Sequence, residues 1–176
     1  MVSITYSVVV PVFNSCHSIV ELVNETHRVF EDIVKEPYEI ILVDDCSPTK
    51  ETWKVITELA AGNSRIKGFR LARNMGKPGA LLCGLSMAQG DYIITMDDDL
   101  QHHPEHIPLL IQKRDHDVVV ASFPQKKFGF FKRLVSAIKS KCDEFLLGKP
   151  SHLVNTPYKL LKKHVVKAML SIHTPR

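Results

Sequence analysis

Several common functional signatures are missing from this 176-residue chain. It contains neither a P-loop (GxxxxGKS/T) nor a GxGxxG fingerprint, which argues against ATP hydrolysis and against dinucleotide binding. Its four cysteines are scattered without a CxxC pair, and we expect free thiols in a reducing compartment. No run reaches the roughly 18 apolar residues that cross a bilayer, and no basic region precedes the first apolar run as in a signal peptide. We therefore expect a soluble, cytoplasmic protein.

Charge is distributed unevenly along the chain. Residues 1–123 hold 11 Lys or Arg and 17 acids, a net charge of −6, whereas residues 124–176 hold 12 Lys or Arg and 2 acids, a net charge of +10. This asymmetry predicts an anionic partner for the second segment and leaves nucleic acid, an anionic membrane, a phosphorylated substrate and a merely solvated basic helix face open. Residues 131–145 have the apolar spacing of an amphipathic basic helix, which would pack on the domain or lie on a membrane surface.

Strand and helix patterns alternate along the chain. Short apolar, β-branched runs separated by helical apolar spacing are typical of parallel strands joined by helices. The pattern predicts an α/β fold, a doubly wound, mostly parallel sheet with helices on both faces. We expect five strands, at residues 6–12, 38–43, 66–71, 91–96 and 118–121.

Polar residues gather where these strands end. Ligands of such sheets bind beyond the carboxyl ends of the strands, so this edge is the expected site. The residues concerned are Asn14, Asp44, Asp45, Arg73, Asn74 and the acids at 97–99. Three consecutive acids repel one another and have no place in a packed core. Their simplest use is to hold a divalent cation that in turn binds a phosphate.

Four motifs, taken together, resemble the family-two glycosyltransferases of GT-A fold. They are VVVPVFN at residues 8–14, ILVDDCS at 41–47, RNMGK at 73–77, and DDDLQ at 97–101 with Pro104 and Glu105 after it. They follow the family's order and cover about residues 5–123. The DDDLQ motif with RNMGK upstream is most similar to the branch that loads sugars onto polyprenyl phosphates, which includes the dolichyl-phosphate mannose synthases.

The resemblance implies roles for individual residues. Pro11 and the backbone near Phe13 would line the nucleobase pocket. Other nucleotide-binding residues would be Asn14, Asp44, Asp45, Arg73, Lys77 and Asp98. Asp97 and Asp99 would hold Mg²⁺ or Mn²⁺ with Gln101 nearby, whereas Asp98 occupies the variable middle position and is not expected to bind the metal. Asp99 and His152 are the catalytic candidates.

The resemblance also implies an inverting, metal-dependent glycosyltransferase with a nucleotide-sugar donor. A UDP-sugar is the default donor. The acceptor would be a polyprenyl phosphate or a cell-surface glycan of the cell envelope, reached by peripheral contact at the cytoplasmic face of a membrane. A phosphate monoester is already ionised at neutral pH, so it needs a cationic cradle, supplied by basic residues between 126 and 167, more than a general base. The alternatives are a non-catalytic nucleotide-sugar-binding module and a truncated, inactive fragment. We expect no nucleic-acid partner, and an oligomer is compatible with the sequence.

The chain departs from the family pattern on the acceptor side. Residues 122–127 lack the arginine motif that often follows the fifth strand, and His152 and Lys159 stand where relatives commonly carry an acid and an arginine. Family domains usually continue past Leu170, so the chain is expected to be a C-terminally truncated or shortened member. We predict a nucleotide-sugar and metal-binding core at residues 1–123, with residues 124–176 as an incomplete acceptor-side segment of the same domain.

Overall fold

A computed structural model describes residues 4–122 and 156–173. Six strands form one sheet in the order β3-β2-β1-β4-β6-β5. Their bounds are β1 Tyr6–Val12, β2 Tyr38–Asp44, β3 Ile66–Arg70, β4 Tyr92–Thr95, β5 Val118–Val120 and β6 Lys159–Lys162. The strands β1 to β4 run parallel, whereas β6 runs antiparallel to β4. The predicted doubly wound, mostly parallel α/β sheet is therefore confirmed.

Helices connect the strands. Their bounds are α1 Ser18–Arg28, continued by a π-helical turn Val29–Val34, then α2 Lys50–Gly62, α3 Gly76–Met87, a 3₁₀ turn Pro104–His106, α4 Ile107–Ile111 and α5 Lys163–His173. In the part of the chain that the structure describes, no helix is both long and apolar enough to cross a membrane.

The two central strands are buried on both faces. Every residue of β1 and of β2 is buried, which explains their nearly continuous apolar sequences. On one face, Val9 and Val43 pack in a cluster with Ala80 and Leu85 of α3 and Val166 of α5. On the other face, the ring of Tyr6 lies 5.7 Å from that of Phe30 in the π-helical turn, and Ile56 of α2 packs closely on Gly68. Helices thus cover both faces.

The strand at 159–162 was not predicted. Two lysines flank Leu160 and Leu161, which gives neither a clean alternation nor a long apolar run. Both leucines are buried because β6 is covered on its two faces beside β4.

The chain divides into two compact units, residues 1–119 with 157–176, and residues 120–156. In the described part of the second unit, the Thr156 hydroxyl donates to the Ala121 carbonyl oxygen at 2.8 Å. The predicted helix at 131–145 and His152 lie outside the described residues. The predicted division of the domain at residue 123 stays a prediction.

Close packing of α3 on the sheet requires a glycine at position 84. A Cβ there would lie well inside van der Waals contact of Val9 and 3.2 Å from Val43 Cγ2. We expect Gly84→Ala to lower the free energy of unfolding by about 1–3 kcal/mol through overpacking, as measured by urea denaturation. At Gly62 a Cβ meets nothing within 4 Å, so Gly62→Ala should change the free energy of unfolding by less than about 0.5 kcal/mol. Equal losses in the two variants would contradict this account.

Candidate functional site

A cavity of about 250 Å³ opens at the carboxyl ends of β1, β2 and β4. It is lined by Pro11, Val12, Phe13, Asp45, Asn74, Gly76, Lys77 and Asp98. Five of these were predicted as nucleotide-binding residues, namely Pro11, Phe13, Asp45, Lys77 and Asp98. The structure adds Val12, Asn74 and Gly76. Of these three, Asn74 had been placed at the expected binding edge of the sheet, although it was not assigned a nucleotide contact.

A larger cavity of about 540 Å³ lies at the opposite ends of β1 and β2, around Glu36 and Glu39. Its acids already have basic partners: Glu39 pairs with Lys67 at 2.6 Å, Glu36 with Arg114 at 2.8 Å and Glu31 with Arg65 at 2.7 Å. Parallel α/β sheets bind ligands at the carboxyl edge, so the smaller cavity is the candidate site.

Asp44 and Asp45 differ in what they contact. Asp44 is fully buried; its Oδ1 accepts from the Ser47 amide at 2.9 Å and from the Ser47 hydroxyl at 2.5 Å, while Oδ2 lies 3.2 Å from Arg70 Nε. Asp45 is also buried but lines the cavity, and its Oδ1 accepts from the Met75 amide at 2.7 Å. The structure therefore directs Asp44 into the protein and Asp45 towards the cavity. A nucleotide contact by Asp44 stays a prediction.

The first turn of α3 forms another wall of the cavity. The Asn74 side chain accepts from the Gly76 amide at 3.0 Å, and Gly76 has a φ of +74°, a conformation that favours glycine. The positive end of the helix dipole at this helix end favours anions. Lys77, in the same turn, forms an ion pair with Asp97. Arg73 does not line the cavity, and its Nε lies 3.2 Å from the Met75 sulfur. Its predicted nucleotide contact stays a prediction.

The loop after β1 is held in place by the two neighbouring loops. Phe13 is 46% exposed, and its amide donates to Asp98 Oδ2 at 3.1 Å. Asn14 has a φ of +57°, which asparagine tolerates better than most residues, and its amide donates to the Ser47 hydroxyl at 2.9 Å. Asn14 does not line the cavity, so its predicted nucleotide contact is unsupported by side-chain position.

The three consecutive acids have three different partners. Asp97 pairs with Lys77, and Asp98 accepts from the Phe13 amide and contacts the Ser15 hydroxyl. Asp99 is exposed and accepts from the Gln101 amide at 3.0 Å. Because each carboxylate has its own donor, the repulsion expected within the run is offset locally.

The acids fit a divalent cation that arrives with a phosphate. Within residues 4–122 and 156–173, no group of three or more His, Cys, Asp or Glu side chains is arranged to hold a metal ion. Mg²⁺ is commonly bound by one or two carboxylates together with substrate phosphates and waters. Asp97 and Asp99 supply two carboxylates, and Asp97 already attracts the Lys77 ammonium group. Gln101 is exposed beside Asp99, and its role as a ligand stays a prediction.

The segment before β6 supports the acid loop. The Thr95 hydroxyl donates to the Pro157 carbonyl at 2.6 Å, and the Tyr158 hydroxyl donates to the His103 carbonyl at 3.3 Å. Burial raises the pKa of Tyr158, so its hydroxyl keeps the proton that it donates. The sequence analysis missed both contacts, since each joins residues more than fifty positions apart.

Most of the predicted basic cradle lies outside the described residues, and the described lysines of β6 lie at two different edges of the sheet. β6 is antiparallel to β4, and its register places Lys159 opposite Thr95, at the carboxyl edge, but Lys162 opposite Tyr92, at the far edge. There Lys162 pairs with Asp117 at 3.2 Å, and Lys163 lies 3.8 Å from Asp91. Lys162 and Lys163, which belong to the predicted basic segment, therefore lie away from the acids, because the antiparallel direction of β6 carries them to the far edge. The cradle itself stays a prediction.

A mostly parallel sheet with a cavity and an acid loop at its carboxyl edge defines an α/β ligand-binding domain, and the comparisons with known proteins give its fold as GT-A. Residues 7–168 match the family described as Glycosyl transferase family 2, and the chain belongs to that family.

Three solved structures are similar to this chain. TarS 1–349 of S. aureus in complex with UDP-GlcNAc is 22% identical, with a TM-score of 0.62 over 98% of this chain and 49% of that one. The mannosyltransferase PcManGT of Pyrobaculum calidifontis in complex with GDP-Man and Mn²⁺ is 17% identical, with a TM-score of 0.66 over 93% of this chain and 46% of that one. Glucosyl-3-phosphoglycerate synthase of Mycobacterium tuberculosis in complex with Mn²⁺ and UDP-glucose is 18% identical, with a TM-score of 0.67 over 92% of this chain and 57% of that one. The likeness establishes the fold, and the chain spans about half the length of these proteins.

The different surroundings of the adjacent acids predict different effects of substitution. Asp44→Ala leaves Ser47 and the partly exposed Arg70 without their buried acceptor, so we expect the free energy of unfolding to fall by about 2–4 kcal/mol. Asp45→Ala removes one buried acceptor from the Met75 amide and should cost about 1–2 kcal/mol. Urea denaturation of the ligand-free variants measures both values. An Asp45 variant that is less stable than the Asp44 variant would refute the assignment.

Proposed function

We propose that this protein binds a nucleoside diphosphate sugar together with a divalent cation and transfers the sugar to an acceptor. The observation that carries the proposal is the composition of the 250 Å³ cavity. It combines an exposed aromatic ring at Phe13, a carboxylate at Asp45, and an ammonium group at Lys77 beside the first turn of a helix. The ring of Phe13 matches a nucleobase, the carboxylate of Asp45 matches N–H or hydroxyl groups of the base or ribose, and the ammonium group of Lys77 matches the diphosphate.

Each group has a defined part in donor binding. The half-exposed Phe13 ring offers an apolar surface that a base would cover, since base stacking on an aromatic ring contributes about 1–3 kcal/mol. Asp45 has one carboxylate oxygen on the Met75 amide, which leaves the other for a donor N–H or hydroxyl group. Lys77 and the positive end of the α3 dipole attract the diphosphate.

The metal part of the proposal rests on Asp97 and Asp99. When bound, a divalent cation neutralises the charge that develops on the leaving nucleoside diphosphate. Asp97 and Asp99 would hold it, with Asp99 as the catalytic candidate through that contact. The solved structures with Mn²⁺ support this chemistry, but Mg²⁺ and Mn²⁺ are equally compatible with two carboxylates.

We propose a UDP-sugar as the donor and a phosphate monoester of the polyprenyl phosphate type as the acceptor. Two of the three similar structures carry a UDP-sugar and one carries GDP-Man, which supports the class of donor and favours uridine. The acceptor oxygen would attack the anomeric carbon from the face opposite the diphosphate, forming the new C–O bond while the bond to the diphosphate breaks, with inversion. A phosphate acceptor is already an oxyanion and requires no proton transfer.

A second candidate is a nucleotide-sugar-binding module without turnover. The observation that favours it is the acceptor side of the sequence, where His152 and Lys159 stand in place of the acid and the arginine that are common in the family. Release of nucleoside diphosphate on addition of polyprenyl phosphate would support the transferase, whereas binding without release with any acceptor would support the module.

A thermal-shift screen tests donor binding directly. A ligand that binds the folded state at about 100 times its Kd adds about 2.7 kcal/mol of stability, which corresponds to a rise in Tm of roughly 5–10 °C at this size. We expect UDP-sugars with Mn²⁺ to give the largest shift, GDP-mannose a smaller one and ATP none. Failure of every nucleotide to shift Tm, with and without Mn²⁺, would overturn the proposal.

Substitution of the outer acids tests the metal assignment. We expect Asp97→Asn and Asp99→Asn to weaken Mn²⁺-dependent UDP binding at least about tenfold, as measured by calorimetric titration with and without Mn²⁺. Binding in the absence of metal should change little in Asp99→Asn, because the base and ribose contacts remain, whereas Asp97→Asn also releases Lys77 from its ion pair. Asp115→Asn, an exposed acid outside the cavity, is the matched control. Mn²⁺ dependence that survives in both Asp97 and Asp99 variants would exclude them as the metal ligands.

A further inference from the structure

The middle acid of the run bonds to the loop that carries Phe13. Asp98 Oδ2 accepts from the Phe13 amide at 3.1 Å and is also in hydrogen-bond contact with the Ser15 hydroxyl. The Ser15 oxygen lies 2.9 Å from the Phe13 carbonyl oxygen as well. One carboxylate oxygen therefore connects both ends of the segment 13–15, although it belongs to a loop more than eighty residues away in sequence.

The same segment is held from its other side. The amide of Asn14 donates to the Ser47 hydroxyl at 2.9 Å, and its side-chain oxygen accepts from the Thr49 hydroxyl at 3.2 Å. Asn14 stands in the left-handed region between the two residues that Asp98 contacts. Such a backbone conformation persists when surrounding contacts determine it. Asp98 supplies the contacts from the metal-site side, and Ser47 with Thr49 supplies those from the β2 side.

We propose that Asp98 is a positioning residue that fixes the Phe13 ring at the wall of the cavity, and that it does not act as a metal ligand. The proposal rests on the proposed function, since the ring is placed for a nucleotide base. Its chemical reason is that a carboxylate accepts hydrogen bonds without donating any, so one oxygen can serve an amide and a hydroxyl together. A small apolar residue at position 98 would leave both donors of the 13–15 segment without this acceptor.

The placement of Ser15 allows positioning to be separated from direct ligand contact. Asp98 lines the cavity and could touch a nucleotide itself, but Ser15 does not line it. An effect of Ser15 on nucleotide affinity therefore has to pass through the loop. Asp98 and Ser15 should also be coupled, because each loses its shared hydrogen bond when the other is truncated.

Two measurements test the proposal, the first without any ligand. In the nucleotide-free protein we expect Asp98→Ala to speed hydrogen exchange of the Phe13 amide about tenfold, as for loss of one charge-assisted hydrogen bond. Asp98→Asn keeps an accepting oxygen and should restore most of the protection. Asp97→Asn should leave this amide unchanged, and the amides of β1 should stay protected in all variants, which shows that the fold is intact.

The second measurement is UDP affinity at fixed Mn²⁺. We expect Asp98→Ala to weaken binding about tenfold, Asp98→Asn less than about threefold, and Ser15→Ala about threefold. The double variant should bind no more weakly than Asp98→Ala alone. Ser171→Ala is the control, because its hydroxyl donates only to the Ala168 carbonyl on an exposed part of α5. The Mn²⁺-dependent gain in affinity should persist in Asp98→Asn.

The outcomes separate this inference from the proposed function. Unchanged Phe13 exchange in Asp98→Ala overturns the positioning role, whether or not nucleotide binds. Loss of the Mn²⁺-dependent gain in affinity in Asp98→Asn also overturns the positioning role and makes Asp98 a metal ligand. Additive effects of the Asp98 and Ser15 substitutions on UDP affinity overturn it as well. Altered exchange in a protein that binds no nucleotide keeps the loop contact and refutes the donor-binding function alone.

Discussion

Parallel pairing of β1 with both β2 and β4 is the constraint on which the rest of the structure depends. Val12 lies opposite Asp44, and Val9 lies opposite Thr95, so the three loops that follow these strands leave the sheet at one edge. A slip of one residue would turn buried side chains to the wrong face, and the fully buried β1 and β2 make that slip costly. Hydrophobic burial of the sheet thereby brings Phe13, Asp45 and Asp98 around one cavity.

Neighbouring acids in this protein have different environments. Successive side chains of an extended segment point to opposite sides, so Asp44 enters the protein towards Ser47 and Arg70 while Asp45 faces the cavity. The run at 97–99 is separated similarly, with Lys77, the Phe13 amide and the Gln101 amide as distinct partners. Individual compensation of each charge allows the acid run, the N-terminal end of α3 and the exposed Phe13 side chain to lie side by side. In the function that we propose, the acids hold the metal, the end of α3 attracts the diphosphate, and the Phe13 side chain contacts the base.

The direction of β6 decides which of its lysines lie at the carboxyl edge of the sheet and which lie at the opposite edge. β6 runs against β4, and three residues of strand span about 10 Å. Lys159 therefore lies at the carboxyl edge, while Lys162 lies near Tyr92 and pairs with Asp117. Net charge summed over residues 124–176 could not show this difference, because it carries no information on strand direction. The direction of β6 thus separates its two lysines between the two edges of the sheet.

The amino-acid sequence by itself determined the class of fold and the identity of the site-bearing loops. Apolar runs with helical spacing between them specify a parallel α/β sheet, and polar residues at strand ends mark its binding edge. The resemblance to the family-two glycosyltransferases then implied Pro11, Phe13, Asp45, Lys77 and Asp98 as nucleotide-binding residues, and all five line the cavity. Tertiary structure alone decided that Asp44 turns inward, that Asp98 bonds to the Phe13 loop, and that β6 completes the sheet. The physical reason is range: periodicity reports on near neighbours, whereas these contacts depend on strand register and loop conformation that exist only once distant segments have packed.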